Sequence, residues 1–299
     1  MRIGVTGSSG LIGSATVRAL EARGDEVVRI VRPGSRSRGV YWDPGIGQID
    51  RDALVGVDAI VHLAGESIFS IWTPAQKRRI RDSRVRGTGL IATSIAQLER
   101  PPRVLISASA IGYYGNHPGA EPIDEQSPKG AGFLADVVEA WEGAADPARA
   151  AGIRVAHPRM GLILAKKAGA LMVAAPVFSL GLGGRIGSGK QYWSWVALDD
   201  VVGSLLHLLD KPVSGPVNVV APNAVTNAEF TRALAKVLHR PALFAAPEFL
   251  LRLIGGPAEE LVLSGARVVP RKLQESGYEF RYPELREALQ AVLAGEVGS

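Results

Sequence analysis

"RIGVTGSSGLIGSATVRAL", residues 2–20, sets glycines at 7, 10 and 13 between a short apolar run and a segment whose apolar residues recur with helical spacing. "RIGV" reads as a buried strand and "LIGSATVRALEA" as a helix. A strand that turns at once into a helix needs backbone conformations that glycine tolerates. Absent side chains also let a phosphate approach backbone N–H groups, and the helix start offers unpaired donors and the positive end of a dipole. Gly7, Ser8, Ser9 and Gly10 are the expected phosphate loop, with Leu11 and Ile12 opening the helix behind it and Gly13 allowing close helix–strand packing. The competing reading is a tight turn that binds nothing, which a glycine pattern alone does not exclude. The strand before and the helix after favour a dinucleotide.

The rest of the chain continues that alternation. Further strands are expected in "DEVVRIVR", "DAIVHLAG" (58–65), "RVLISAS" (103–109) and "IRVAHPRMGLIL". Helices are expected after Pro74, ending before Pro101, and in "GFLADVVEAWEGAA". Such alternation predicts an α/β fold, a Rossmann-type doubly wound parallel sheet with helices on both faces, its ligand at the C-terminal strand edges. Residues 1–165 are expected to form that domain, with 192–224 returning to it, and 166–299 to form mainly a smaller C-terminal substrate domain.

Bulk properties narrow the class. The chain has 299 residues, 46% of them hydrophobic, enough for a large core. It has no cysteine, hence no disulfide, thiolate metal site or cysteine nucleophile. Five histidines, at 62, 117, 157, 207 and 239, lack ligand-like spacing, so no metal is expected. The first strand follows Met1 directly and no apolar run matches a membrane span, so the expected setting is cytoplasmic, away from membranes. The formal charge of +5 raises nucleic acid as a partner. The densest basic stretch, "KRRIRDSRVR" (77–86), follows a helix start at Thr73-Pro74 and spreads its six cations around that helix. Without aromatic interleaving or a nucleic-acid motif, it reads as a solvated helix with one or two arginines turned inward.

The strand edges hold the informative side chains. The second strand ends at Val31-Arg32. An acid there would bind ribose hydroxyls, whereas a basic residue suits the 2′-phosphate of NADP(H). Arg36 and Arg38 follow in a glycine- and serine-rich loop, and Arg36 is expected to assist. The third strand ends in His62-Leu63-Ala64-Gly65, where small residues let the adenine-ribose side of a cofactor pass close to the backbone.

With these features in place, "TGSSGLIG", Arg32, "HLAG" and "ISASAIGYYG" resemble an extended short-chain dehydrogenase/reductase. "WDPGIGQID", "IWTPAQKRRIRDSR", "GLGGRIGSGKQYWSWVALDD", "NVVAPNAVTNAEF" and "RVVPRKLQESGYEFRYPEL" narrow the resemblance to the atypical epimerase-family group, which carries a C-terminal domain of unknown function. The resemblance spans nearly the whole chain. It implies NADP(H) as cofactor, Arg84 on a helix passing beside it, Ser107 near it, and a small-molecule substrate of unassigned identity.

One departure matters. Ordinary members carry a Tyr-x-x-x-Lys pair on the helix after the fourth strand, and here that helix offers Phe133 or Leu134, then Val137 or Val138. Hydride transfer to a carbonyl needs a proton at the developing alkoxide. Ser109 matches the superfamily's serine and Tyr114-Gly115 its "YG", so Ser109 and Tyr114 are the expected proton-handling groups, with carbonyl reduction favoured over alcohol oxidation. Packing at the sheet edge is the competing reading for Tyr113 and Tyr114. "FSLGLGGRIGSGKQYWSW" (178–195) adds Arg185, Lys190, Tyr192, Trp193 and Trp195 on a glycine-rich loop suited to an anionic or ring-shaped ligand, or else to packing. "TNAE" (226–229) reads as a capping box and Asp199-Asp200 as a helix start. Two functions follow: an oxidoreductase or epimerase with a non-standard proton donor, or a catalytically silent NADPH-binding sensor or scaffold.

Overall fold

A computed structural model describes residues 1–166, 169–246, 260, 263 and 265–297. The opening stretch forms β1 (Arg2–Thr6) and α1 (Leu11–Ala22). Then follow β2 (Glu26–Val31), β3 (Val40–Asp43), β4 (Gln48–Ile49), β5 (Ala59–His62), α2 (Pro74–Ala96), β6 (Val104–Ser107) and β7 (Ser109–Ala110). Next come α3 (Phe133–Gly143), α4 (Asp146–Ala150) and β8 (Arg154–Met160).

The main sheet runs β13-β8-β6-β5-β1-β2-β3-β4, where β13 is Gly215–Val219. Strand β1 pairs in parallel with both β2 and β5, and β6 with β5 and β8. This is the Rossmann arrangement, with the strand order reversing across β1 and β5. Full burial explains the apolar runs: Ile3, Val5, Ile60, Val61, Leu105 and Ile106 are all at 0% exposure, as parallel strands covered on both faces require. Strand β3 and its antiparallel partner β4 extend the sheet from a glycine-rich stretch without an evident strand pattern. There Trp42 is buried while Tyr41 is exposed, a two-residue alternation too short to stand out.

The chain divides into two units: Met1–Ala110, Asp136–Arg159 and Val202–Val217 in one, Ile111–Ala135, Met160–Val201 and Asn218–Ser299 in the other. Residues 202–217 thus accompany the N-terminal strands, while 111–135 and 192–201 belong to the second unit. In that second unit β9 (Leu162–Leu164) pairs in parallel with β12 (Trp195–Ala197). Strand β10 (Gly184–Ile186) pairs with β15 (Phe244–Ala246), and β11 (Tyr192–Trp193) runs antiparallel to β14 (Val225–Thr226). The expected single strand over "IRVAHPRMGLIL" breaks at Gly161. A Cβ there would lie 2.4 Å from the Ser194 carbonyl oxygen, so only glycine allows the chain to leave β8 and join β12. Helices α5 (Gly169–Ser179), α6 (Leu198–Asp210) and α7 (Asn227–Leu238) follow, α7 closed by the Thr226–Glu229 capping box.

Candidate functional site

The glycines of the opening stretch do separate tasks. Gly7 has φ +65°, and a Cβ on it would lie 2.9 Å from the backbone of Leu63 and Ala64. At Gly13 a Cβ would lie 2.1 Å from the Gly7 carbonyl oxygen, so α1 packs directly on the loop. Gly10 donates its N–H to that same carbonyl at 2.9 Å and serves as the N-cap of α1. It has no capping side chain, and the first turn holds no acidic residue. The opening N–H groups at Leu11 and Ile12, and the dipole's positive end, are therefore available to an anion. Ser8 is buried, whereas Ser9 and Gly10 are exposed.

Thr6 locks this loop to the end of β5. Its Oγ1 accepts from the N–H groups of Leu63 (3.0 Å) and Ala64 (3.2 Å), and lies 2.8 Å from His62 Nδ1. A hydroxyl that accepts twice donates its own proton, so His62 Nδ1 is the acceptor and Nε2 carries the hydrogen. Complete burial lowers the His62 pKa to about 4 and keeps the ring neutral.

Arg84, on α2, lies against the residue that ends this segment. A Cβ on Gly65 would sit 3.4 Å from Arg84 Cζ and 3.5 Å from Nη2. Its Nη1 donates to the carbonyls of Glu66 (3.0 Å) and Ile80 (3.1 Å), and its Cζ lies over the Trp141 ring at 5.0 Å from the centroid, a cation–π contact. Burial lowers its pKa to about 10, opposed by the Glu66 charge, so it stays cationic at neutral pH. At the neighbouring edge Arg32 and Arg36 follow β2 with exposed side chains.

Ser107 ends β6 fully buried, its Oγ without a protein partner. Two residues on, Ser109 donates its hydroxyl proton to Glu142 Oε1 at 2.6 Å. Glu142 in turn accepts from Arg159 Nε and Nη2, both at 2.8 Å. This pair is nearly enclosed, with side-chain exposures of 3% for Arg159 and 12% for Glu142. Burial works to raise the Glu142 pKa, but the Arg159 hydrogen bonds and charge outweigh it and hold the carboxyl below its usual range. Glu142 and Arg159 were not singled out from the sequence. The available signal was Arg159 inside the buried strand β8, where a charge requires a partner.

Within the second unit Tyr114 is at 0% exposure and donates its hydroxyl to Asn218 Oδ1 at 2.8 Å. The amide orientation is fixed because Asn218 Nδ2 donates to the Val269 carbonyl at 3.0 Å. Glu125 Oε1 accepts from the Asn218 and Lys272 N–H groups, and burial raises its pKa despite those bonds. The carboxylate of Glu260 accepts from Phe133 N–H (3.2 Å) and Leu134 N–H (2.9 Å), capping the helix that lacks the tyrosine–lysine pair. Arg185 and Lys190 are exposed on the glycine-rich loop, whereas Trp195 is core, its Nε1 donating to the Asn223 carbonyl. Among the described residues no His, Cys, Asp and Glu cluster could hold a metal, and no helix is long and apolar enough to cross a membrane.

The comparisons agree with this architecture. The NAD dependent epimerase/dehydratase family matches residues 3–132, and a domain of unknown function, DUF1731, matches residues 246–292. An epimerase family protein of Mycobacterium leprae is 41% identical over 291 residues, covering 96% of this chain and 94% of its own. The chain belongs to the epimerase family of atypical short-chain dehydrogenase/reductases. Human epimerase family protein SDR39U1, crystallised with NADPH, superposes on this epimerase family member with a TM-score of 0.86 at 32% identity, over 98% of this chain and 99% of that one. A nucleoside-diphosphate sugar epimerase from Corynebacterium glutamicum superposes with a TM-score of 0.80 at 36% identity, over 99% of this chain and 59% of that one.

Proposed function

We propose that this epimerase family member is an NADP(H)-dependent oxidoreductase or epimerase acting on a small carbonyl or sugar-like substrate. The observation that carries the reading is Ser109, whose hydroxyl is held by a buried ion pair in the same unit as the glycine loop. The residues fit the cofactor. Gly7 to Ile12 offer a glycine loop running into an α1 N-terminus with no capping side chain, Leu63 to Gly65 a run ending in two small residues, and Ser107 Oγ an unpartnered polar atom. Arg84 meets the cofactor's phosphates, and Arg32 with Arg36 meets the 2′-phosphate. The NADPH of the human relative supports the same assignment.

Bound NADP(H) supplies or accepts the hydride. The protein's part is the proton. Ser109 spends its one proton on an ionised carboxylate, so its remaining lone pairs accept. A substrate hydroxyl donates to Ser109 Oγ as the Ser109 proton passes to Glu142 Oε1, leaving a carbonyl oxygen and a neutral carboxyl. In this charge state the pair accepts the proton during alcohol oxidation, and a Glu142 carboxyl held below its usual range returns it readily during carbonyl reduction. Tyr114 joins only when its bond to Asn218 opens. Arg185 and Lys190 suit an anionic substrate group.

The test is a screen of alcohols with NADP+ and carbonyls with NADPH, comparing the wild type with Ser109→Ala and Tyr114→Phe. Loss of the proton path costs on the order of a hundredfold. Turnover that survives Ser109→Ala refutes it, and a comparable loss in Tyr114→Phe would return the direct role to Tyr114. A second reading, the silent NADPH-binding sensor, draws on the internal engagement of both hydroxyl protons. Any cofactor-dependent turnover excludes it.

A further inference from the structure

Helix α3 lacks the lysine of the usual pair, yet two arginines from neighbouring elements converge on its last turns. Arg159 pairs with Glu142, and Arg84 lies on Trp141. The two are held differently. Arg159 spends its Nε and Nη2 on the Glu142 carboxylate. Arg84 spends only Nη1, on the carbonyls of Glu66 and Ile80. Among the described residues its Nε and Nη2 have no acceptor, so the same side-on fork that Arg159 has filled is open. That fork borders Gly65, where Nη2 would lie 3.5 Å from a Cβ. A guanidinium with an open fork matches a phosphate or carboxylate in two parallel hydrogen bonds.

Trp141 lies beneath the guanidinium that carries this fork, 5.0 Å from ring centroid to Cζ. The ring is 6% exposed, and its Nε1 donates to Thr88 Oγ1 at 2.9 Å. Thr88 stands one turn beyond Arg84 on α2, so the same helix that carries the arginine also fixes the ring beneath it. A planar cation over an indole loses rotational freedom without losing a hydrogen-bond donor.

We infer that Trp141 is a positioning residue for the cofactor: it holds the Arg84 guanidinium so that Nε and Nη2 present a fork to a phosphate of NADP(H). The inference rests on the cofactor assignment proposed above.

The experiment is calorimetric titration of the full chain with NADPH for wild type, Trp141→Leu, Trp141→Phe, Arg84→Ala, Arg84→Lys and the Trp141→Leu/Arg84→Ala pair. Trp141→Leu is expected to weaken binding roughly tenfold, the scale of a partly desolvated cation–π contact. Trp141→Phe keeps a ring and is expected to stay within about threefold, although it loses the Thr88 bond as the leucine does. Arg84→Lys is expected to bind little better than Arg84→Ala, since lysine neither stacks flat nor forks. The double variant should bind as Arg84→Ala does. Losses that simply add, full affinity in Trp141→Leu, or an affinity in Arg84→Lys equal to wild type would overturn the inference while leaving Arg84 at the cofactor. Undiminished affinity in Arg84→Ala would remove the cofactor assignment of Arg84 itself, and the inference with it. Should Trp141→Leu fail to fold, the Arg84→Lys and Trp141→Phe arms still decide.

Discussion

Arg159 and Arg32 show how burial assigns a charge its task. Arg159 is enclosed, and its partner Glu142 compensates it in a bidentate pair. Removing one member of such a pair strands the other, at about 3–5 kcal/mol. Arg159→Met should therefore unfold at clearly lower denaturant concentration than wild type, and a variant as stable as wild type would show the pair to be incidental. Because the folded Glu142 pKa lies below its ordinary 4.5, the pair's contribution is fully present above that value and is lost as pH falls through the folded pKa. Arg32 is exposed beside the glycine loop. Charge-assisted bonds to a 2′-phosphate contribute roughly 1.5–3 kcal/mol, a ten- to hundredfold preference for NADPH over NADH. Arg32→Asp should lose most of that preference in a fluorescence titration of both cofactors, and equal affinities in wild type would end the assignment. The place of Arg32 just past the end of β2 was legible because it is a matter of counting, and the titration tests its proposed role. The Glu142–Arg159 pair was not, because the two residues are 17 apart in sequence and meet only when α3 crosses β8.

The α1 helix and the loop before it act as one element, and Gly13 is where they touch. With a Cβ placed 2.1 Å from the Gly7 carbonyl oxygen, Gly13→Ala forces the helix off the loop. Overpacking of this kind costs typically about 1–3 kcal/mol. NADPH affinity should fall along with thermal stability, whereas Gly24→Ala, whose Cβ meets nothing within 4 Å but has φ +84°, should lower stability alone. Unchanged NADPH affinity in Gly13→Ala would separate the loop from the cofactor. At α3, Glu260 supplies from a distant segment the cap that the local sequence "GAGF" lacks. Loss of a helix cap costs about 0.5–2 kcal/mol, so Glu260→Ala should lower the melting temperature, and no change would make the contact dispensable. The first element pair could be read directly because its glycines, strand and helix are contiguous. The break of the fifth strand at Gly161 could not, since the Ser194 carbonyl that excludes a side chain there arrives from 33 residues further along.

Across the whole molecule the buried histidines set the response to acid. Burial lowers His62 and His157 to about 4 from an ordinary 6.5; at His157 the Glu142 charge works against the shift and Arg149 with it. Between those values the unfolded chain binds the proton and the folded chain does not, so stability falls as pH drops from about 6.5 towards 4. Denaturation midpoints measured across that range should decline steadily, and His62→Gln should flatten part of the slope. A flat profile in wild type would mean that both rings are protonated in the folded state. The sequence by itself determined the parallel sheet, the glycine loop, the family and the absence of tyrosine and lysine from α3, because periodicity, punctuation and motif spacing are local properties. Only the tertiary structure decided what the remaining polar groups do. It gave Ser109 to Glu142, enclosed Tyr114 against Asn218, and left the Arg84 fork open above Gly65. Hydrogen-bond direction and burial depend on which side chains arrive from elsewhere in the chain, and packing alone brings them together.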